Sequence, residues 1–452
     1  MTTRRDWLGQ ATIAAAAIGL PRSLTAELLS RRGRAAKRPY LDLALRAATW
    51  IEASKQVTDH GTRYPADPLK PESVDLDFYN GMPGVVAFYA ALSDATGDAT
   101  WLRAAAAGGD YLIHEMDANG EKLDAGLYTG LAGLGYTFDG LDRAGAGDRY
   151  ATAARRAAEL IKSRARITEA GAQWTDSWDI ISGIAGTGLF LLEIAHRWDN
   201  EYLGLAQAAG RRLIAAGEPA EGGLMWFPSG SFRRNYPNFS HGTAGVGYFL
   251  ATLYQATGDR QFLDAALKGV AYLDAVATRA DGGTKIFHQS GGGENRFYLS
   301  WCHGPVGTAR LFYRLHRITR ESKWLDWVYS LTRGVLGSGA PEQHSDGYWN
   351  NISQCCGNVG IGQYCIDLAR SVRTPEAKAL LDRVVTNTMS RATDDAAGLR
   401  WIQAENRTQP ENLVAQTGFM QGAAGVGSFL LQLDALDRGK RWRFPQPDTP
   451  FG

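Results

Sequence analysis

Three of the four cysteines in this 452-residue chain sit beside glycines, where a metal or a reactive thiol could be presented. Cys302 precedes His303-Gly304, and Cys355 and Cys356 precede Gly357, while His241 stands directly before Gly242. Cysteine with cysteine or histidine at convergent positions can form the shell of a zinc ion, with the fourth tetrahedral position left for water or substrate. The spacing is unlike that of a zinc finger, so two other readings stay open. Buried free thiols pack as small hydrophobes, and in an oxidising compartment Cys302 could pair with Cys355 or Cys356. Those last two could hardly pair with each other without strain. Cys365, further along the chain, falls on a helix and reads as core.

The elements that must bring these residues together form a repeat. Gly-x-x-Gly leading into an apolar helix start occurs seven times, at intervals of roughly fifty to sixty-five residues. The copies are YNGMPG from Tyr79, YTGLAG from Tyr128, ISGIAG from Ile181, SHGTAG from Ser240, CHGPVG from Cys302, CCGNVG from Cys355 and MQGAAG from Met420. The glycines by themselves signal a tight turn into a closely packed helix, not catalysis. Copies four, five and six differ in carrying His241, Cys302 and Cys355-Cys356. If all copies occupy equivalent turns at one end of a ring, those side chains meet at the mouth of its cavity, and this context favours the metal.

Each repeat holds two helices. Val85 to Leu92 and Gly247 to Tyr254 are apolar nearly all round, as in a helix buried on both sides. Between Tyr150 and Ile161, by contrast, Ala154, Ala157, Ala158 and Ile161 share one face and Arg155, Arg156 and Glu159 lie elsewhere. Thr96-Gly97-Asp98 and Thr257-Gly258-Asp259 supply a glycine to end one helix and an aspartate to cap the next. The pattern predicts an all-α fold, an α/α toroid of seven inner and seven outer helices. An open solenoid would need polar caps that neither end provides.

Composition adds exclusions. The chain is 44% hydrophobic and 21% charged with a formal net charge of +1, which gives no electrostatic case for nucleic acid or an anionic membrane. Arg4-Arg5, the apolar run Ala11 to Leu20 and the small-residue end Leu24-Thr25-Ala26 resemble a twin-arginine export signal over residues 1–26. The run is too short to span a bilayer; the alternative is a basic tail before an ordinary helix. A basic linker at 27–39, the toroid at 40–438 and a C-terminal tail at 439–452 complete the expected organisation of an exported protein without a membrane span.

Trp301-Cys302-His303-Gly304 and Cys355-Cys356-Gly357, set on seven glycine motifs, resemble the lanthionine synthetase C-like family over about residues 40 to 435. The resemblance implies one zinc per chain held by Cys302, Cys355 and Cys356, and addition of a thiol to dehydroalanine or dehydrobutyrine to form a thioether. The nucleophile would be a peptide cysteine or a small thiol such as glutathione. The repeats occupy the chain, so a separate dehydratase is implied. His241 resembles the family's general acid and Asp179 the carboxylate that orients it, since a bonded carboxylate fixes the imidazole tautomer and raises its pKa. His303 either supports this centre or simply packs.

Two departures stand out. Cys356 replaces the usual histidine ligand, so three thiolates give the zinc site a net charge of about −1 instead of 0. A substrate thiolate there should be a better nucleophile, with its pKa less strongly lowered. Tyr298 stands where some members carry an arginine, and Arg296 is the nearest substitute. Two rival functions remain: a zinc-containing peptide or thiol binder without turnover, and a sugar-processing α/α barrel using carboxylates such as Asp75 and Asp77. His60, His114, His196, His288, His316 and His344 lie outside the motifs and receive no role.

Overall fold

Gly304 shows why the motif demands glycine. Its backbone is extended, with φ −118° and ψ 180°, but a Cβ there would lie 2.2 Å from the carbonyl carbon of Leu299. At Gly307 a Cβ would lie 1.9 Å from the carbonyl oxygen of Trp301. The requirement is close backbone approach, not a positive φ, and it fixes where each helix starts.

The computed structural model describes residues 38–451 apart from 199, 281, 345–350, 373, 405–408 and 410. The export segment 1–26 and nearly all of the linker 27–39 lie outside the described residues. Fourteen α-helices occur among the described residues, in outer-to-inner pairs. They are α1 (Pro39–Glu52) and α2 (Met82–Thr96), α3 (Ala99–Asn119) and α4 (Leu131–Arg143), α5 (Arg149–Ser163) and α6 (Ile184–Arg197), and α7 (Glu201–Ala216) and α8 (Thr243–Thr257). The remaining pairs are α9 (Arg260–Ala275) and α10 (Pro305–Thr319), α11 (Lys323–Leu336) and α12 (Asn358–Ser371), and α13 (Pro375–Ser390) and α14 (Ala423–Asp437).

Each inner helix touches the next inner helix, and α14 returns to α2, so the predicted α/α toroid is closed. Burial follows the layers. In α8 every residue from Thr243 to Ala251 is buried, whereas α9 buries a stripe of Phe262, Leu263, Ala265, Ala266, Gly269, Val270, Tyr272 and Leu273. The caps are those the sequence announces. Asp98 accepts from Thr100 N and Asp259 from Gln261 N, while Gly97 and Gly258 end their helices at φ 73° and 72°.

Short antiparallel hairpins were not expected from the helical periodicity. Among the described residues there are six, such as Arg166–Thr168 with Gly171–Gln173 and Ala277–Ala280 with Gly283–Ile286. They lie in connections between outer helices and the glycine motifs. Glycines such as Gly171 and Gly282, at φ 120° and 74°, allow the chain to reverse there.

A circle of backbone hydrogen bonds joins the seven motifs. Tyr79 N donates to Tyr128 O, Tyr128 N to Ile181 O, Ile180 N to Ser240 O and Ser240 N to Cys302 O. Cys302 N then donates to Cys355 O, Cys355 N to Met420 O, and Met420 N back to Tyr79 O. Every link runs in the same sense and spans 2.7–3.2 Å. The residues preceding the glycines are therefore gathered at one place, with their buried amides satisfied by each other.

The segment after α14 packs back into the toroid. Asp448 is fully buried, and it receives Arg310 Nη1 at 2.7 Å, Trp301 Nε1 at 2.8 Å and the Tyr128 hydroxyl at 3.1 Å. Arg310 Nη2 also reaches Gln446 Oε1 at 2.8 Å, and Phe451 stacks on Tyr313 with centroids 4.3 Å apart.

Candidate metal centre and proton donor

Cys302 and Cys355 are held by adjacent links of the backbone circle, which places motif five against motif six. Cys302 Sγ lies 3.3 Å from Cys356 Sγ, and Cys356 Sγ lies 3.4 Å from Cys355 Sγ. All three sulfurs fall within 4.8 Å of one another. A disulfide needs about 2.05 Å, and all four cysteines are free thiols. Three sulfurs sharing a tetrahedral zinc at about 2.3 Å each would stand about 3.8 Å apart, and the two short separations need to open by only about half an ångström to reach that spacing. Cys365 is fully buried on α12 and stands outside the group.

The thiols do not share protons evenly. Burial pushes Cys302 and Cys355 well up from the ordinary thiol range, while hydrogen bonds from Cys302 and then Cys355 pull Cys356 well down. A cluster of this kind can neutralise a cation more readily than it can hold three separate charges in a buried place.

Beside it, His241 Nδ1 lies 2.5 Å from Asp179 Oδ2. The same carboxylate caps its own motif: Asp179 Oδ1 accepts from Ser182 N at 2.8 Å and Gly183 N at 2.9 Å. Capping and imidazole binding thus coexist, because each uses a different oxygen. Burial alone would lower the His241 pKa, but the Asp179 charge and hydrogen bond, with Cys355 adding to them, raise it above its ordinary value. About a third of the His241 side chain remains exposed, at 34% against 3% for Asp179, so the acidic form is held where a ligand can meet it.

His303 links the two parts. It follows Cys302 in the chain, and its ring centroid is 5.4 Å from His241, 4.7 Å from His288 and 5.0 Å from Tyr236. Burial, reinforced by His241 and His288, holds its pKa well below the usual imidazole value. Its Nδ1 is buried without a hydrogen-bond partner among the described residues. Tyr298 is 8% exposed and stacks on His288 with centroids 4.1 Å apart, placing an aromatic pair against His303. Arg296 serves the loop through its backbone, accepting from His288 N at 2.8 Å, and its Nε is buried with no hydrogen-bond partner among the described residues.

Sequence reasoning passed over four residues here. His288 and Tyr236 complete the aromatic wall, and neither belongs to a glycine motif core. Tyr79 donates its hydroxyl to Cys355 Sγ at 2.8 Å, and Gln421 Nε2 donates to the Tyr79 oxygen at 3.0 Å. The available signal was their position: in motifs one and seven, Tyr79 stands two residues before the first glycine, as Cys302 and Cys355 do, and Gln421 one before it, as His241 and Cys356 do.

The fold resembles that of nisin cyclase with a TM-score of 0.65 at 15% identity, covering 90% of this chain and 96% of that one. A protein from Listeria innocua, Lin0763, gives a TM-score of 0.49 at 13% identity over 88% of this chain and 97% of that one. An inactive variant of the α-1,6-mannanase GH76A from Salegentibacter sp. HEL1_6 gives 0.47 at 14% identity over 88% and 98%. No curated protein matches the sequence. Residues 72–447, most of the chain, match the family described as lanthionine synthetase C-like protein, and on that match the chain belongs to the lanthionine synthetase C-like family.

Proposed function

We propose that this protein adds a thiol to a dehydroalanine or dehydrobutyrine to form a thioether, using zinc held by Cys302, Cys355 and Cys356. The observation that carries this reading is the meeting of three metal-competent sulfurs with a carboxylate-bound, partly exposed imidazole through the shared neighbour His303. When bound, zinc would supply the Lewis acidity that keeps a substrate thiol ionised near neutral pH.

The remaining work falls to the chain. The thiolate sulfur attacks the β-carbon, the carbon–carbon π pair moves toward the α-carbon and its carbonyl, and a proton must then reach the α-carbon. His241 holds that proton, Asp179 fixes the tautomer by occupying Nδ1, and Nε2 is left to face the substrate. The proton released by the thiol restores the imidazolium directly or by way of water. Tyr236, His288, Tyr298 and the neutral His303 form an aromatic wall that limits water around the developing enolate. No helix among the described residues is long and apolar enough to cross a membrane.

The test is a peptide carrying one dehydroalanine with either an internal cysteine or added glutathione, scored by loss of alkylatable thiol. Zinc near one per chain and a rate above that of the reaction in solution are expected; alanine at Cys302 or Cys355 should abolish both, and Cys365→Ala neither. Full zinc without a rate would favour the binder, and zinc retained by a Cys302→Ala, Cys356→Ala double variant would overturn the ligand set.

A further inference from the structure

We infer that Tyr79, clamped by Gln421, is a positioning residue that donates a hydrogen bond to the Cys355 sulfur and so draws charge off a metal centre made of three thiolates. This rests on the metal reading above and extends it to motifs one and seven, which that reading leaves without a task.

Three observations carry it. The Tyr79 hydroxyl is 2.8 Å from Cys355 Sγ. A thiolate ligand has no hydrogen to give, so between these atoms the phenol must be the donor. The phenol oxygen is not free to turn away, because it accepts from Gln421 Nε2 at 3.0 Å. Gln421 is itself fixed, its carbonyl accepting from Gln403 Nε2 at 2.7 Å and its neighbour Met420 donating its amide to Tyr79 O at 2.8 Å.

The third observation is the donor set. With Cys356 in place of an imidazole, the ligands carry one more negative charge than a two-thiolate, one-histidine shell, and Cys302 and Cys355 are 3% and 2% exposed. Water therefore does little to spread that charge. A hydrogen bond to a ligand sulfur weakens its donation to the metal, which is how groups behind the ligands tune a metal site. Tyr79 and Gln421 supply such a bond from motifs one and seven, whereas the proton donor His241 and its partner Asp179 stand on motifs four and three.

Cobalt substitution reads this directly, through the sulfur-to-cobalt charge-transfer band, together with zinc affinity by chelator competition. In Tyr79→Phe the ring is kept and the donor removed. The band should move to longer wavelength, and zinc affinity should fall about tenfold, the low end of what loss of a partner behind a ligand costs. Gln421→Leu should move the band the same way by less, since the phenol stays but loses its clamp. A wild-type band position and wild-type zinc affinity in Tyr79→Phe, with thermal stability unchanged, would overturn the inference while leaving the metal reading intact. A wild-type cobalt protein lacking any sulfur charge-transfer band would overturn both.

Discussion

Two buried polar clusters meet at consecutive residues, and they are built on opposite principles. Trp301 points its indole N–H into the cluster of Asp448, Arg310, Tyr128 and Gln446, where both carboxylate oxygens of Asp448 are engaged. Cys302, the next residue, groups with the sulfurs of Cys355 and Cys356, and the residues on either side of this stretch of the motif ring keep buried atoms without partners among the described residues, namely Ser240 Oγ and His303 Nδ1. A buried ion pair whose hydrogen bonds are all made has nothing left to offer a ligand. Unmet buried groups cost stability and are retained where something else will meet them. The first cluster is scaffold and the second is the site.

The contrast can be broken from either side, and the largest effect belongs to the site. His241→Ala should keep zinc and stability yet lose about 10²–10⁴-fold in turnover, because a positioned acid is worth that much. Its pH behaviour sharpens the point. The protonated imidazole is the working form, so the rate should fall as pH rises through the raised His241 pKa. Asp179→Asn removes the charge that raises it, so the fall should move to lower pH while zinc stays bound. An unmoved profile in Asp179→Asn would show that His241 is not the proton donor.

Next in size is the scaffold. Asp448→Ala leaves the Arg310 guanidinium buried and uncompensated, which should cost about 3–5 kcal/mol of stability. Thermal or urea unfolding would show it, while the fraction that stays folded should still carry zinc. If the variant melts like wild type, the cluster is not the scaffold described here.

The smallest effect is expected at His303→Phe. It removes an unpartnered buried nitrogen while keeping a ring against Tyr236 and His288, so stability should be unchanged or rise by about 1 kcal/mol. Turnover should fall modestly. A clear loss of stability would place His303 with the scaffold and blur the division between the clusters.

The repeat made the toroid legible because its constraint is local: a Cβ at Gly304 or Gly307 collides with backbone a few residues earlier, so the motif must be written in glycine wherever it recurs. The gathering of Cys302, Cys355 and Cys356 followed from the same register. Asp448 was not legible, being one acidic residue in an apparently polar C-terminal tail that bonds across 138 residues to Arg310. Tyr79 and Cys355 are 276 residues apart; the repeat gives them the same register, but a tyrosine there reads as packing until its hydroxyl is seen on the sulfur. His288 was missed because it reaches the centre from a loop beside a hairpin, outside the helical period. The hairpins escaped for a similar reason, since three-residue strands are too short to establish an alternation.

The circle of backbone bonds also sets a chronology. Five of its links join motifs already synthesised by the time Cys355 is made, but Cys355 N waits for Met420 O, and Tyr79 O waits for Met420 N. The residues that hold Cys355 in place thus come from the two most widely separated motifs, Tyr79 and Gln421 lying 342 residues apart. During synthesis the cysteines emerge before the frame that aligns them exists. The last motif closes the circle on both sides at once, so alignment of the sulfurs reports that the ring has been completed from its first turn to its last.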